Sequence, residues 1–262
     1  MTKISPSRAV GLILLTIIAI VAIFAPLLAP YNPNAATIDV LAPPSSNYLL
    51  GTDSLGRDVL SRIIYGTRIS LQVGLAAAMV AILIGAPVGL VAGYFRGRLD
   101  FFLVQIIDLF IALPGLVLAL IITAMLGASV ENLSITLGVV TAPTVARLIR
   151  GQVFVVREAL FVEAARATGA SSAWIIRHHV LPNVARTIWA QLAINVSYAI
   201  FTLASLSFLG LGVPPPASDW GGMVRDGATF LPILPLLSLG PGGAVALTVF
   251  TFYLIGSSKK QS

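Results

Sequence analysis

Long apolar runs alternate with shorter polar segments along this chain. Six of the runs are predicted to form membrane-spanning helices, at residues 10–28, 69–92, 101–126, 133–148, 187–209 and 230–255. A helix of about 20 apolar residues crosses the hydrocarbon core of a bilayer. The segments at residues 29–68 and 149–186 are too long to be simple turns. The pattern therefore predicts an all-α integral membrane protein with six transmembrane helices and two sizeable loops.

The composition excludes a water-soluble enzyme. Hydrophobic residues make up 57% of the 262-residue chain, charged residues only 10%, and the mean hydropathy is +0.97. Soluble domains carry about 25% charged residues. Cysteine is absent, which excludes disulfide frameworks and thiolate metal sites.

The first apolar run follows Lys3 and Arg8, so its order resembles that of a signal peptide. The run is long for a signal sequence, and Pro26 follows the small residue at which cleavage would fall. We therefore predict a retained anchor helix. Prolines inside or near the later runs are predicted to kink their helices, namely Pro114, Pro143, Pro235 and Pro241.

The distribution of basic residues predicts the orientation in the membrane. With six spans, twelve of the sixteen Lys and Arg residues fall on the side that holds both termini. Cytoplasmic loops carry the excess of Lys and Arg in membrane proteins. Both termini are therefore predicted to be cytoplasmic, and residues 149–186 form an inner loop.

The inner loop is predicted to contain two short helices joined by a bend. Gly169 follows a stretch of strong helix formers, at the position where a glycine ends a helix. Ser171 is a candidate N-cap for the second helix, which Pro182 is predicted to close. An amphipathic helix pair resting on lipid headgroups is the alternative. The mixed charges and the alanine pair Ala164-Ala165 argue against it.

Three separated motifs carry a family resemblance. The first consists of Glu163-Ala164-Ala165, Gly169 and Leu181-Pro182, and it resembles the EAA motif of ATP-binding-cassette (ABC) importer permeases. Residues 51–62 and 207–221 resemble the outer segment and the last loop of the second permease of dipeptide, oligopeptide and nickel importers. Because the motifs occur in the family's order, the chain is identified as similar to these binding-protein-dependent permeases.

The resemblance implies a type I ABC importer permease fold with cytoplasmic coupling helices, in the cell (inner) membrane. The implied partners are a homologous second permease, two cytoplasmic ABC ATPase subunits and an extracytoplasmic substrate-binding protein, with no nucleic acid. ATP and Mg belong to the ATPase subunits, so this chain is expected to bind no cofactor and to be no enzyme. The implied ATPase contacts are Glu163, Ala164, Ala165, Gly169, Leu181 and Pro182.

The residues themselves also argue against an ATPase site or a metal site in this chain. A P-loop needs a lysine after glycine, and Lys3, Lys259 and Lys260 do not follow one. The adjacent His178 and His179 would point about 100° apart on a helix, so no metal site is predicted.

We expect an anchor and external loop at residues 1–68, a transmembrane domain at 69–255 and a short basic tail at 256–262. The tail lacks the acidic, arginine-containing sequence of similar permeases, so no tail contact is inferred.

The transported solute is not specified by the sequence. Short peptides are the default in the family, and nickel, glutathione or another non-peptide solute are alternatives. A different class of function is an ion-coupled secondary transporter that uses Asp108, an acid within the third predicted span. The alternative role for Asp108 is helix packing, with a neighbouring hydroxyl, amide or water as its partner.

Two further groups of residues are candidate sites. Asp53, Arg57, Asp58 and Arg62 alternate in charge, and Asp58 and Arg62 have the spacing of an i,i+4 pair in a short helix. They either receive the binding protein or the second permease, or form a self-contained ion-pair cluster. Glycines spaced four apart on the second span are candidates for close helix packing, within the chain or between subunits; they are Gly85, Gly89 and Gly93.

Overall fold

The computed structural model describes residues 5–257. Lys3 and most of the predicted basic tail, including Lys259 and Lys260, lie outside these residues. The first helices are α1 (Pro6–Ile23), α2 (Ala25–Leu28), α3 (Val59–Phe95), α4 (Gly97–Ala112), α5 (Gly115–Leu126) and α6 (Val130–Arg157). They are followed by α7 (Leu160–Ala167), α8 (Ser172–Ile175), a π-helical turn (Ile176–Val180), α9 (Leu181–Phe208), α10 (Trp220–Ala228) and α11 (Leu236–Gly256).

The helical membrane architecture is confirmed. Within residues 5–257, five helical segments are long and apolar enough to span a bilayer, and the bent pair α4–α5 can supply a sixth span. The five are α1, α3, α6, α11 and the continuous segment Ser172–Phe208. The chain is therefore an integral membrane protein with the expected number of apolar segments.

The third apolar run is broken rather than straight. Helices α4 and α5 meet at an angle of 87° around Pro114. Proline lacks the N–H that would continue the helical ladder, and it pushes the preceding residue, Leu113, into an extended conformation. By contrast, Pro143 and Pro241 lie inside continuous helices, and Pro235 caps the start of α11.

Helix α3 begins ten residues before the predicted second span. Asp58 caps it by accepting hydrogen bonds from the backbone N–H of Ser61 (2.8 Å) and from the Ser61 hydroxyl (2.6 Å). Arg62 and Arg68 lower the hydropathy of residues 59–68, so the hydropathy pattern predicts that the span begins too late. At about 1.5 Å per residue, the 37-residue helix is ~55 Å long and extends beyond the hydrocarbon core.

The interior of the bundle is built around α3 and α9. One buried cluster joins α1, α3, α9, α10 and α11, and includes Ile18, Ile200, Trp220 and Phe252. A second cluster joins the C-terminal parts of α3 and α6 to the inner loop through Tyr94, Val153, Val162 and Ile175. The inner loop is therefore packed onto the membrane helices by its own apolar side chains.

Candidate functional site: the inner loop and its supports

Helix α7 ends in a tight glycine turn. The Ala170 N–H donates to the Ala165 carbonyl and the Gly169 N–H donates to the Arg166 carbonyl, both at 3.0 Å. Gly169 has a φ of +83°, which favours glycine. These two bonds form a Schellman motif, which fixes the direction in which the chain leaves a helix. The bend expected at Gly169 is present. The helix that ends there, α7, begins at Leu160, and Arg157 is the last residue of α6.

The second short helix starts as expected and continues further. The Ser171 hydroxyl accepts a hydrogen bond from the Trp174 N–H at 3.3 Å, so Ser171 is the N-cap of α8. The chain then passes through the π-helical turn Ile176–Val180 directly into α9. The second short helix of the inner loop and the following span are therefore one continuous helical rod, Ser172–Phe208.

The prediction that Pro182 closes the second short helix is wrong. Pro182 lies in the first turn of α9, where a missing N–H is tolerated. The preceding π-helical turn already interrupts the regular ladder at this place. The Asn183 side-chain amide donates to the His179 carbonyl at 2.6 Å and supplies a partner in the widened turn.

Aromatic and imidazole rings line a shallow depression beside the glycine turn. The Trp174 ring stacks on His178 at 4.6 Å, and His179 lies 5.2 Å from Trp174 and 5.7 Å from Phe161 between ring centroids. Ala164, Ala165 and Gly169 complete the walls of the depression. Phe161 and Trp174 are each 45% exposed, so this surface offers apolar area to a partner.

Glu163 lies on the exposed side of α7. Within residues 5–257 its carboxylate makes no ion pair, although Arg166 lies three residues later on the same helix. The Arg166 guanidinium instead lies over the buried Tyr94 ring at 5.6 Å, and Arg157 approaches the same ring at 6.0 Å. Tyr94 thus connects α3, α6 and α7, while Glu163 remains available at the surface.

Two ion pairs join α4 to α6. Arg147 Nη2 donates to Asp108 Oδ1, and both side chains are about half exposed. Arg150 binds Asp100 with two bonds, from Nε to Oδ1 (2.6 Å) and from Nη2 to Oδ2 (2.8 Å). The expectation that a hydroxyl, amide or water satisfies Asp108 is wrong, because its partner is an arginine. A paired acid does not favour the ion-coupled alternative, which needs a carboxylate free to take up a cation.

The inner ends of the same helices carry a cation–π cluster. Phe154 lies between the guanidinium groups of Arg96 and Arg150, at 4.7 and 4.5 Å from its ring centroid. Arg96 also approaches Glu158, with 3.5 Å between Nη1 and Oε1. These contacts link the α3–α4 junction to the end of α6, next to the inner loop.

The external charges form an internal cluster rather than the predicted Asp58–Arg62 pair. Arg57 Nε donates to Asp53 Oδ2 at 2.7 Å, and Arg62 Nε lies 3.6 Å from the same oxygen. Arg62 also donates to the Pro33 carbonyl at 3.2 Å. Asp58 is engaged as the cap of α3 and therefore does not face Arg62 as an ion-pair partner. All four side chains lie mostly within the protein.

The glycines of the second span lie against α6 of the same chain. A Cβ atom on Gly85, Gly89 or Gly93 would lie 2.4–2.8 Å from an atom of α6. Gly138 of α6 meets α3 in the same way, 2.5 Å from Val80 Cβ. This placement favours packing within the chain over a contact between subunits. Gly138 was missed because it has no glycine partner at four-residue spacing on its own helix.

The segment before α10 contains a buried carboxylate that the sequence did not single out. Asp219 is 5% exposed and caps α10 by accepting from the Gly222 N–H at 3.2 Å. Burial raises the pKa of Asp219, although hydrogen bonds and Arg225 oppose the rise. The neighbouring Trp220 is buried and donates from Nε1 to the Ile63 carbonyl at 2.9 Å. The last loop is therefore anchored onto α3.

Comparison with known proteins agrees with this architecture. Residues 85–258 match the family described as binding-protein-dependent transport system inner membrane component, and residues 6–44 match the N-terminal TM domain of oligopeptide transport permease C. The chain is 40% identical to the dipeptide transport system permease protein DppC of Alkalihalophilus pseudofirmus, covering 97% of this chain and 84% of that protein.

Other relatives are similar over nearly the same length. The glutathione transport system permease protein GsiD of Pectobacterium atrosepticum is 39% identical, covering 97% of this chain and 85% of the relative. The probable D,D-dipeptide transport system permease protein DdpC of Escherichia coli is 35% identical, covering 98% and 86%.

A solved structure shares the fold. A chain of the MetNI methionine ABC transporter in inward-facing conformations superimposes with a TM-score of 0.63 at 18% identity, covering 75% of this chain and 93% of that chain. This likeness supports the type I permease fold. The extent of the family match and of the similarity to the permeases shows that the chain belongs to the family of inner membrane components of binding-protein-dependent transport systems.

Proposed function

We propose that this chain is one permease subunit of an ATP-driven importer that carries short peptides or a closely related small solute. The support is that similar permeases are named for dipeptide, D,D-dipeptide and glutathione transport. These solutes share amide-linked amino acids with free carboxylate and amino groups. Import of nickel or another non-peptide solute by the same architecture is the alternative.

The proposed complex contains a homologous second permease, two cytoplasmic ABC ATPase subunits and an extracytoplasmic binding protein. ATP and Mg bind to the ATPase subunits, and this chain binds no cofactor. It lies in the inner membrane with both termini cytoplasmic, as the excess of Lys and Arg on that side indicates. The inner loop then faces the ATPases.

The shape of the inner loop is the observation that best supports a role for this loop in coupling to the ATPases. A coupling element must transmit a displacement, so it has to be rigid and exposed. Helix α7 is fixed by the Gly169 turn and by Val162 and Ala165, which are buried in the bundle, while Glu163 and Ala164 remain exposed. Leu181 and Pro182 are exposed at the first turn of the rod that becomes α9.

In this proposal Glu163, Ala164, Ala165, Gly169, Leu181 and Pro182 contact or shape the ATPase interface. Small alanine side chains allow close approach of the partner. The free Glu163 carboxylate accepts charge-assisted hydrogen bonds from a basic group or a helix N-terminus of the ATPase.

Charge reversal at Glu163 tests the proposal. Glu163→Lys is expected to leave the chain in the membrane, to reduce copurification of ATPase subunits and to lower uptake of labelled dialanine or glutathione at least about tenfold, the effect of losing one charge-assisted contact. Glu131→Lys is the matched control, because Glu131 is exposed in the first turn of α6, far along the chain from the inner loop. Normal assembly and normal uptake in the Glu163 variant would show that this loop is not the coupling element.

A further inference from the structure

An open cleft, called here the external cleft, lies at the end of α3 that is opposite to the inner loop. Its volume is about 760 Å³, and it is enclosed by the segment around α2, the N-terminal part of α3 and the segment before α10. Polar residues that line it include Tyr31, Asn32, Tyr65, Arg68, Gln72 and Ser218. Tyr94, which packs against the inner loop, lies ~39 Å further along α3 than Arg68.

Arg68 provides an unpaired positive charge in the external cleft. Its side chain is exposed and forms no ion pair within residues 5–257. None of the described residues that line the cleft is acidic. Tyr65 and Gln72 add donors, and the Asn32 amide nitrogen can also donate, because its oxygen already accepts a backbone hydrogen bond at 2.9 Å. A guanidinium among neutral donors favours an anionic ligand such as a phosphate.

Arg68 also marks the edge of the membrane-spanning part of α3. Residues 69–95, which follow it, contain no charged side chain and form ~40 Å of helix, compared with ~30 Å for the hydrocarbon core. Because charged side chains are costly inside the core, Arg68 lies at the level of the lipid headgroups or just outside them. Leu27, which is 80% exposed, lies between the lining residues Pro26 and Ala29 and offers apolar surface beside the cleft.

The external cleft continues into an exposed apolar stripe on α3. Leu75, Met79 and Leu83 are 44%, 46% and 66% exposed. They follow Arg68 and Gln72 at spacings of three or four residues, which places all five side chains on one side of the helix. The apolar part of the stripe extends ~12 Å along the helix axis. A cationic cleft at the surface followed by an apolar stripe has the same order as the headgroup and acyl chain of a phospholipid.

We propose that the external cleft binds an anionic phospholipid, with the phosphate on Arg68 and an acyl chain along Leu75, Met79 and Leu83. This inference goes beyond the proposed transport function and does not depend on the transported solute. The continuity of the unpaired cation with the apolar stripe selects a lipid over an acidic side chain of a protein partner, which would need only the cleft.

The test measures the binding of two lipids to the assembled protein. The chain is isolated from membranes through a tag, together with the subunits that accompany it. Native mass spectrometry then follows titration with palmitoyl-oleoyl phosphatidylglycerol or palmitoyl-oleoyl phosphatidylcholine in detergent micelles. Both lipids carry the same acyl chains and a phosphate, but only phosphatidylglycerol has a net negative charge.

Arg68→Gln removes the charge of the cleft, and Arg98→Gln is its matched control. Arg98 is also exposed, forms no ion pair within residues 5–257 and is followed by the exposed apolar residue Leu99. It lies beyond the other end of α3 and does not line the cleft. The pair of variants therefore separates a built site from general attraction to surface arginines.

Two substitutions at the exposed Gln72 keep Arg68 in place. Gln72→Glu introduces a carboxylate one helical turn after Arg68, where an i,i+4 pair neutralises the guanidinium. Gln72→Arg adds a second guanidinium to the cleft. A gain of lipid affinity in Gln72→Arg cannot result from misfolding, so this variant guards against a trivial loss of binding.

We expect the wild-type protein to bind phosphatidylglycerol about tenfold more tightly than phosphatidylcholine. A tenfold ratio corresponds to ~1.4 kcal/mol, the size of one charge-assisted hydrogen bond. Arg68→Gln and Gln72→Glu should bring the ratio close to one, and Gln72→Arg should raise it about three- to tenfold. Arg98→Gln should leave the ratio unchanged.

Three outcomes would overturn the lipid site. Equal binding of the two lipids by the wild-type protein would show that the cleft and its stripe are covered or do not select an anionic lipid. An equal loss in Arg98→Gln would show attraction to surface charge in general. If Arg68→Gln keeps the lipid ratio but abolishes stimulation of ATP hydrolysis by the binding protein, the cleft receives that protein instead.

Discussion

Gly89 of α3 lies so close to Ala146 of α6 that a Cβ atom added to Gly89 would be only 2.4 Å from the Ala146 carbonyl oxygen. The backbone oxygen cannot move without displacing α6 itself. Because α6 leads into the inner loop, the spacing of these two helices sets the position of that loop. We therefore expect close packing of α3 and α6 to support the inner loop as well as the fold.

We predict that Gly89→Ala destabilises the protein by about 1–3 kcal/mol, the usual cost of overpacking a tight interface. Gly243→Ala in α11 is the control, because a Cβ at Gly243 would meet no atom within 4 Å. Thermal unfolding of the purified complex in detergent measures the difference. Equal unfolding temperatures for the two variants would contradict the packing role.

A series at Gly169 separates backbone strain from steric contact. A Cβ at Gly169 would meet nothing within 4 Å, so only its φ of +83° resists substitution. Gly169→Asn should retain most uptake, because asparagine tolerates this conformation, whereas Gly169→Ala costs about 1–2 kcal/mol and Gly169→Val costs more. Uptake per membrane-inserted complex should follow the order Asn, Ala, Val. An equal loss in all three would point to a contact made by the glycine surface itself.

The external cluster predicts a large difference between two similar substitutions. Asp53→Asn removes the carboxylate that serves the mostly buried Arg57 and Arg62, and should cost about 3 kcal/mol of unfolding free energy. Asp226→Asn removes the partner of the exposed Arg225 and should cost less than about 1 kcal/mol. Thermal unfolding at low salt compares them. If Asp53→Asn leaves stability unchanged but abolishes stimulation of ATP hydrolysis by the binding protein, the cluster is a docking element instead.

Asp219 predicts a specific pH dependence. Burial raises its pKa in the folded protein above the ordinary value of 3.8, so the folded state holds the proton more tightly than the unfolded state. Its contribution to stability is therefore fully present below about pH 4 and declines as the pH rises through the folded pKa. The difference in unfolding temperature between wild type and Asp219→Asn, followed from about pH 4 to 8, should change in this direction. A difference that is constant with pH would contradict the prediction.

Tyr94 is predicted to transmit movement between α7 and the membrane helices. Its buried ring contacts Arg157 of α6 and Arg166 of α7, and each cation–π contact is worth about 0.5–2 kcal/mol. Tyr94→Leu should lower the amount of solute moved per ATP hydrolysed about two- to fivefold, whereas Tyr94→Phe keeps the ring and should not. The ratio is measured in proteoliposomes. An unchanged ratio in Tyr94→Leu would show that the ring has only a packing role.

Local signals in the sequence were sufficient for much of the helical architecture. The apolar runs predicted the spans, Ser171 was identified as an N-cap, and Gly169 was placed at a helix end, because each depends on residues within a few positions. Hydropathy alone misplaced the start of α3, where Arg62 and Arg68 interrupt the apolar pattern. The prediction for Pro182 was wrong because it considered the proline alone. The π-helical turn before Pro182 already interrupts the regular hydrogen-bond ladder, so the missing N–H is tolerated there.

The partners of the charged residues could not be predicted from local spacing. Asp108 pairs with Arg147 across 39 positions, and Asp100 pairs with Arg150 across 50. Arg62 turns towards Asp53 because Asp58 is already committed to capping α3. Such choices depend on how helices meet, so a single sequence does not contain a local signal for them.

The π-helical turn Ile176–Val180 fixes the rotational phase between the inner loop and the membrane. A π turn holds one more residue than an α turn, and one residue corresponds to about 100° of rotation. Deleting a single residue here would leave an unbroken rod but rotate Trp174, which precedes the turn, by about 100° relative to α9. The extra residue of the π-helical turn therefore determines how the surface of the inner loop is rotated relative to the packing face of α9.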